Sequence, residues 1–140
     1  MVGEAWAVEV VALELADARF YHIDTALSPL PGGEVMYFPG AFTQVGRAAI
    51  RDRVAPDQRI EINVEDATQL AANAVCLGNT VVLSGCSKPL RAQLEERGYR
   101  VVVTPLRAFA RSGGAAFCLT LRLDVRSAAR DDPLSEAALA

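Results

Sequence analysis

The chain has 140 residues, 51% of them hydrophobic, and a formal net charge of −3 with acidic and basic residues interspersed. This composition suits one domain with an apolar core, and it provides neither the basic patch that nucleic acid requires nor a run of about 20 apolar residues that would span a membrane. Three cysteines and no recognisable signal peptide favour the cytoplasm, where thiols stay reduced.

The first third of the chain predicts strands followed by a helix. Residues 3–7 resemble the end of a helix. Strand-like composition follows at residues 8–15, 20–24 and 34–38, and a turn rich in proline and glycine precedes the last of these. Residues 41–53 carry apolar side chains near helical spacing and therefore predict a helix.

The rest of the chain repeats this order of elements. Short strands are predicted at residues 59–64, 74–77, 80–83, 99–104 and 117–125. Helices or helical turns are predicted at residues 65–72, between the cap residue Ser87 and the stop residue Gly98, and at residues 107–111. The repeated succession of two strands, a helix and a strand indicates an α/β protein. Residues 127–140 are expected to form a mobile tail.

The single histidine of the chain, His22, lies two residues before an acid, Asp24. Residues two apart on a strand point to the same side, so a strand over residues 20–24 would turn both side chains toward one cavity. There the carboxylate would support the imidazole in proton transfer or bind a cationic group of a substrate. The alternative is a structural histidine that is hydrogen-bonded at the end of a strand.

Cys118 follows the glycine pair Gly113-Gly114 and is placed on the polar face of the predicted strand over residues 117–125. A thiolate in a polar setting is a nucleophile, and a histidine would serve as its proton-transfer partner. The two glycines would let the backbone come close to a ligand. The alternative is a buried cysteine that acts as a small apolar side chain.

Three further residues are candidates of lesser weight. Cys76 lies in an apolar run and is expected in the core, and Cys86 is expected to be a passive residue of the turn before a helix. Asn73 either lines the same cavity as Cys118 or caps a turn. With one histidine and no closely spaced cysteine pair, we expect no metal site.

Four blocks of the sequence, taken in order, resemble one enzyme superfamily. The blocks are His22-Ile23-Asp24-Thr25, Leu70-Ala71-Ala72-Asn73-Ala74-Val75, Gly98-Tyr99-Arg100-Val101-Val102, and Gly113-Gly114 followed by Cys118-Leu119-Thr120-Leu121. Together they resemble the guanidino-group-modifying enzymes, which include dimethylarginine dimethylaminohydrolases, arginine deiminases and amidinotransferases. The resemblance covers residues 8–125, and the ordered set is much more specific than the first block alone.

The resemblance implies a fold and an activity. The fold is a pentein-type β/α-propeller, a ring of five ββαβ units around a polar site, of which this chain would hold about half. The activity is hydrolysis of a C–N bond in a guanidino compound, with Cys118 as nucleophile and His22 as general acid and base. Asp24, Asn73 and Gly114 would bind the substrate, and no metal or organic cofactor is implied. Asp24 matches an acid that contacts the guanidinium in deiminases and amidinotransferases, which favours arginine or another unmethylated guanidine.

Members of this superfamily are about twice as long as this chain, and their N-terminal half supplies further acids to the site. We therefore expect residues 1–126 to correspond to the C-terminal half of a catalytic domain. Either the sequence belongs to a longer or split protein, or another chain completes the ring. An open half-ring would expose sheet edges and apolar surface, so besides the guanidine substrate we expect self-association or a complementary N-terminal half as partner.

Three other functions stay open on these motifs. An amidinotransferase would use the same Cys118 and His22, with an amine instead of water as the acceptor. A non-catalytic half-domain would keep the motifs without the chemistry and would need a partner. An unrelated cysteine–histidine hydrolase of amides is the third alternative.

Overall fold

Two three-stranded sheets carry the fold in the computed structural model, which describes residues 8–121 and 123. The first sheet contains β1 (Leu27–Pro29), β2 (Val35–Tyr37) and β3 (Arg59–Glu61). The second sheet contains β4 (Val75–Leu77), β5 (Thr80–Leu83) and β6 (Arg100–Val103). The helices are α1 (Gln44–Arg53), α2 (Val64–Thr68), α3 (Lys88–Glu96) and α4 (Arg107–Ala110).

Both sheets have the same topology. The first two strands form an antiparallel hairpin, and the third strand runs parallel to the second. Met36 lies between Ser28 and Ile60 in the first sheet, and Val81 lies between Cys76 and Val101 in the second. A parallel pair needs a crossover connection, which α1 provides in the first sheet and α3 in the second. The α/β class and the repeated ββαβ order that the sequence predicts are therefore confirmed.

The two long helices begin and end where local chemistry predicts. The hydroxyl of Thr43 accepts a hydrogen bond from the Gly46 amide at the start of α1, and that of Ser87 accepts one from the Leu90 amide at the start of α3. Gly98 has φ +86 just beyond α3, a conformation that glycine adopts without strain. The hairpin glycine Gly78, with φ +57, likewise turns the chain between β4 and β5.

The strands predicted over residues 8–15 and 20–24 are wrong. Leu15 forms a single bridge to Phe42, and the rest of the first segment lies outside any strand. The second segment leads into a 3-10 helix, Ile23–Thr25, because the amide and the hydroxyl of Thr25 both donate to the carbonyl of His22. These local hydrogen bonds replace strand pairing, so His22 and Asp24 are not related by strand alternation.

The strand predicted over residues 117–125 is also wrong where the structure describes it. The Leu119 amide donates to the Ala115 carbonyl and the Thr120 amide to the Phe117 carbonyl, which closes helical turns instead of a strand. Residues 122 and 124–125 of that strand lie outside the described residues, as do the helix end predicted at residues 3–7 and the tail predicted at residues 127–140. The helix predicted over residues 65–72 ends early, at Thr68.

Each sheet and its crossover helix form one ββαβ unit, and one buried cluster joins the two units. Its largest members with little or no exposure are Phe20, Met36, Tyr37, Ile60, Val81, Leu83 and Leu94. Tyr99 adds a polar connection, since its hydroxyl donates to Glu34 Oε2 at 2.5 Å and accepts from the Gly32 amide at 2.8 Å. No helix of the described part of the chain is long and apolar enough to cross a membrane.

Replacing Tyr99 with Phe removes only the hydroxyl that joins the two units. We expect the free energy of unfolding to fall by about 1–2 kcal/mol, because the Gly32 amide and the Glu34 carboxylate lose their partner. Urea unfolding at neutral pH measures this loss. Tyr21→Phe is the matched control, since the exposed Tyr21 hydroxyl makes one long hydrogen bond. Equal losses in both variants would contradict a joining role for Tyr99.

The same contact predicts a pH dependence. Burial and the hydrogen bond to Glu34 raise the pKa of Tyr99 above its ordinary value of 10.0. A raised pKa in the folded state means that the stabilisation is complete below the ordinary value and is lost as the pH rises through the folded value. The stability difference between wild type and Tyr99→Phe should therefore shrink above pH 10, and a difference that grows there would contradict this origin.

Candidate active site

Three of the residues predicted to form the site meet at the thiol of Cys118. The Asn73 side-chain amide donates from Nδ2 to Cys118 Sγ at 3.1 Å. Asp24 Oδ2 lies 3.5 Å from the same sulfur, and the neutral thiol donates to it. The structure thus brings together residues that are 45 and 94 positions apart in the sequence.

Asn73 reaches this position through an unusual turn at the end of α2. Leu70 has φ +56, a left-handed conformation that costs a non-glycine residue roughly 1 kcal/mol. The backbone amide of Asn73 donates to the Leu70 carbonyl at 3.0 Å, and the chain enters β4 two residues later. The turn leaves the Asn73 side chain completely buried, with 0% exposure.

The loop that carries Cys118 depends on its two glycines. Gly113 has φ +87, and a side chain there would collide with the ring of Tyr21. A Cβ atom at Gly114 would lie 2.8 Å from the Cβ of Cys118, closer than real side chains approach. Gly114 therefore lets the backbone pass directly beside Cys118, whose side chain is exposed.

Asp24 presents one carboxylate oxygen without a partner. Oδ2 faces the Cys118 sulfur, whereas Oδ1 is buried and accepts no hydrogen bond from the described residues. A buried carboxylate oxygen is normally paired with a donor or a cation, because leaving it unpaired costs free energy. This side chain is therefore suited to bind a cationic hydrogen-bond donor.

The structure does not bring His22 into contact with the thiol of Cys118. The imidazole ring packs against the ring of Tyr21, with the centroids 4.7 Å apart, and makes no hydrogen bond within residues 8–121 and 123. The Tyr21 hydroxyl donates to the Ser112 carbonyl at 3.3 Å, which ties the His22 segment to the loop before Cys118. Sequence reasoning missed Tyr21, although Gly113 marks the place where its ring needs room.

A cleft of about 840 Å³ opens beside these residues. Its lining is mostly apolar and includes the following residues: Asp24, Leu27, Ser28, Pro29, Ala72, Ala74, Val75, Cys76, Phe117, Thr120 and Leu121. Cys76 is half-buried and packs against the core, as expected, but it also faces this cleft. An apolar cleft with a carboxylate at one end suits a small molecule with a cationic head.

Cys86 has a different environment from Cys118. It is half-buried beside the start of α3, and burial together with the charge of Asp66 raises its pKa to about 11. Asp66 is itself buried, and its carboxylate accepts from the amide and the hydroxyl of Ser87, both at 2.7 Å. The Cys86 thiol therefore stays protonated near neutral pH, as expected for a passive residue.

Among the described residues, no group of three or more potential ligands is arranged to hold a metal ion.

Curated proteins with similar sequences act on arginine compounds. The chain is 44% identical over 115 residues to the bifunctional arginine dihydrolase/ornithine cyclodeaminase ArgZ of a Synechocystis species, which covers 82% of this chain and 16% of that protein. It is 37% identical over 122 residues to the N(G),N(G)-dimethylarginine dimethylaminohydrolase of Mycobacterium tuberculosis, which covers 87% of this chain and 40% of that protein. The chain therefore spans less than half the length of either relative. No protein-family model matches it.

Solved structures of proteins that act on guanidino compounds are also similar to this chain. The N-terminal domain of ArgZ bound to its substrate superposes with a TM-score of 0.84 at 40% identity, over 86% of this chain and 45% of that one. The same domain covalently bound to a reaction intermediate matches with a TM-score of 0.84 at 41% identity, over 86% of this chain and 44% of that one. The amidinotransferase SxtG of Microseira wollei, at 23% identity and a TM-score of 0.61, shares the fold.

The environments of the cysteines predict selective alkylation. At pH 8 a thiol with a pKa of about 11 is ionised in about one molecule in a thousand, so iodoacetamide should modify the exposed Cys118 and spare Cys86. Peptide mass spectrometry after a short reaction measures both sites. In concentrated urea the two cysteines should react alike, which is the control. Equal modification in the folded protein would contradict the protected environment of Cys86.

Proposed function

Because the chain belongs to the guanidino-group-modifying enzyme superfamily, we propose that it hydrolyses a guanidino compound through a covalent intermediate on Cys118. The observation that carries this proposal is the contact of the exposed Cys118 thiol with the buried amide of Asn73 and with Asp24, whose second carboxylate oxygen has no hydrogen-bond partner among the described residues. This arrangement puts a nucleophile in contact with a binding group for a planar cation, Asp24, which lines the cleft.

The first half of the reaction forms a bond to sulfur. The Cys118 thiolate attacks the central carbon of the guanidinium, and the C–N bond to the departing nitrogen breaks. His22 donates a proton to that nitrogen, which leaves as a neutral amine or ammonia. The product on the enzyme is an amidino thioether in which the remaining two nitrogens stay on the carbon.

The second half restores the enzyme. His22, now without the proton that it donated, takes one from a water molecule, and the hydroxide attacks the same carbon. The C–S bond breaks, the sulfur leaves as thiolate, the hydroxyl group loses its proton to the departing ammonia or to solvent as it becomes the carbonyl, and a ureido compound is released. With arginine as the substrate, the products are citrulline and ammonia.

Asp24 defines the class of substrate in this proposal. Its Oδ2, which faces the Cys118 sulfur, would accept a hydrogen bond from a guanidinium N–H group, which requires a nitrogen that carries hydrogen. Arginine or another unmethylated guanidine provides such a donor. The bound cation also balances the carboxylate charge beside the sulfur and thereby favours the thiolate.

We further propose that residues 1–126 form about half of a pentein ring and work in the cytoplasm together with a complementary half or a second copy. Phe117 and Leu119 are about half exposed and Leu121 is 83% exposed. All three lie close to Cys118 in the chain, and Phe117 and Leu121 line the cleft. A second half packed on this surface would cover these side chains and close the cleft over the substrate. The greater length of ArgZ and of the mycobacterial relative agrees with such a second half.

Cys118→Ser tests the nucleophile. We expect the production of citrulline from arginine to fall at least about a thousandfold, because the serine hydroxyl is not ionised at neutral pH. Mass spectrometry of the products, with methylated arginines and agmatine as competing substrates, measures the rate and the preference. Cys86→Ser is the matched control and should retain the wild-type rate, and a product that requires an added amine would identify a transferase. Wild-type turnover by Cys118→Ser would overturn the proposal.

Asp24→Asn tests recognition of the cation without requiring turnover. 2-Chloroacetamidine is a planar cation that alkylates thiols, and 2-chloroacetamide is its neutral analogue. We expect Cys118 to prefer the cation, and Asp24→Asn to reduce this preference by about tenfold or more, because the contact with a carboxylate is lost.

Asp57→Asn is the control for that experiment. Asp57 is exposed, and its substitution removes the same negative charge at a different place in the protein. Intact-protein mass spectrometry gives the labelling rates of both reagents. An unchanged preference in Asp24→Asn would show that another group recognises the cation. A wild-type chain with neither product nor amidine labelling at Cys118 would contradict the proposed function as a whole.

A further inference from the structure

We infer that Asn73 is a positioning residue, which holds the Cys118 loop in place and donates a hydrogen bond to the sulfur, and that it does not contact the substrate. The inference deepens the proposed function, since it concerns the residue assigned there as the nucleophile. It replaces the substrate-binding role that the resemblance implies for Asn73.

The Asn73 side chain uses its whole hydrogen-bonding capacity within the protein. Its Nδ2 donates to Cys118 Sγ and to the Asp24 carbonyl, both at 3.1 Å. Its Oδ1 accepts from the Ala115 amide at 2.8 Å and from the Cys118 amide at 3.2 Å. A side-chain amide has two donor hydrogens and two acceptor lone pairs, so no group is left to bind a ligand. With 0% exposure, the side chain also has no open surface.

These bonds connect three separate segments of the chain. They reach the 3-10 helix that carries Asp24, the turn before β4, and the loop that follows Gly114. The backbone carbonyl of Asn73 adds a fifth contact, accepting from the Phe117 amide at 3.1 Å. Residues 111–121 contain no strand, so these contacts determine where the sulfur lies relative to Asp24.

The bond from Nδ2 to the sulfur also has an electrostatic effect. Among the described residues, Asp24 is a charged group in contact with Sγ, and a carboxylate at this distance disfavours a second negative charge beside it. A donor hydrogen directed at the sulfur favours the thiolate and so opposes the effect of Asp24. An aspartate at position 73 would have nearly the same shape and both acceptors for the loop amides, but an ionised carboxylate would not donate to the sulfur.

Asn73→Asp keeps the acceptors for the loop amides, removes the donor to the sulfur and adds a carboxylate beside it, and both of the latter changes oppose the thiolate. We measure the iodoacetamide reaction rate of Cys118 as a function of pH, with urea unfolding as a check on folding. The midpoint of the rate profile should move upward by at least about one pH unit, which slows the reaction at neutral pH about tenfold or more. Asn79→Asp makes the same chemical change at an exposed hairpin position and should leave the midpoint unchanged.

A second measurement needs no substitution. In the wild-type protein labelled with ¹⁵N, the side-chain amide signals of Asn73 should shift with pH at the midpoint of Cys118 reactivity. Alkylation of Cys118 should abolish that shift. This test remains informative if Asn73→Asp does not fold.

The outcomes separate this inference from the proposed function. An unchanged midpoint in folded Asn73→Asp, or Asn73 amide signals that ignore the ionisation of Cys118, would overturn the inference. If the wild-type chain turns over guanidines, Asn73→Asp should lower kcat with little change in KM, whereas a substrate contact would raise KM. Failure of wild-type turnover would contradict the proposed function alone, because the thiol measurements do not depend on it.

Discussion

The buried amide of Asn73 is the constraint on which the local structure of the site depends. A side-chain amide without exposure is stable only when its donors and acceptors are paired, because each unpaired group loses its hydrogen bonds to water. The pairs available come from the Asp24 turn and from the Cys118 loop. One buried side chain therefore requires both segments to come to the same place.

The two ββαβ units supply the frame for this arrangement. In each unit a hairpin is followed by a helix that returns the chain to a parallel strand, and one buried cluster and the Tyr99 contact join the units. The site residues lie outside the sheets, on the turns that precede them and on the loop after α4. The short, regular sheets thus position irregular segments that carry the functional groups. Enzymes commonly place binding and catalytic residues on loops that a rigid scaffold holds.

The charges of the site impose opposite requirements on one carboxylate. Asp24 suits a cationic substrate through its unpaired oxygen, yet the same side chain lies 3.5 Å from a sulfur that must become an anion. The amide of Asn73 and the incoming cation both act against this repulsion.

The sequence by itself determined the two ββαβ units and indicated the family of the chain, although three of the predicted strands do not form where the structure describes them. The cap Ser87 and the turn at Gly78 depend on neighbouring residues, and local patterns reveal such features. Only the tertiary structure decided how residues 20–25 and 117–121 meet, and it gave Asn73 its central place. Local hydrogen bonds close the turns within each segment, but the bonds that join the segments through Asn73 link residues 42 to 49 positions apart. No local periodicity encodes a contact over that separation.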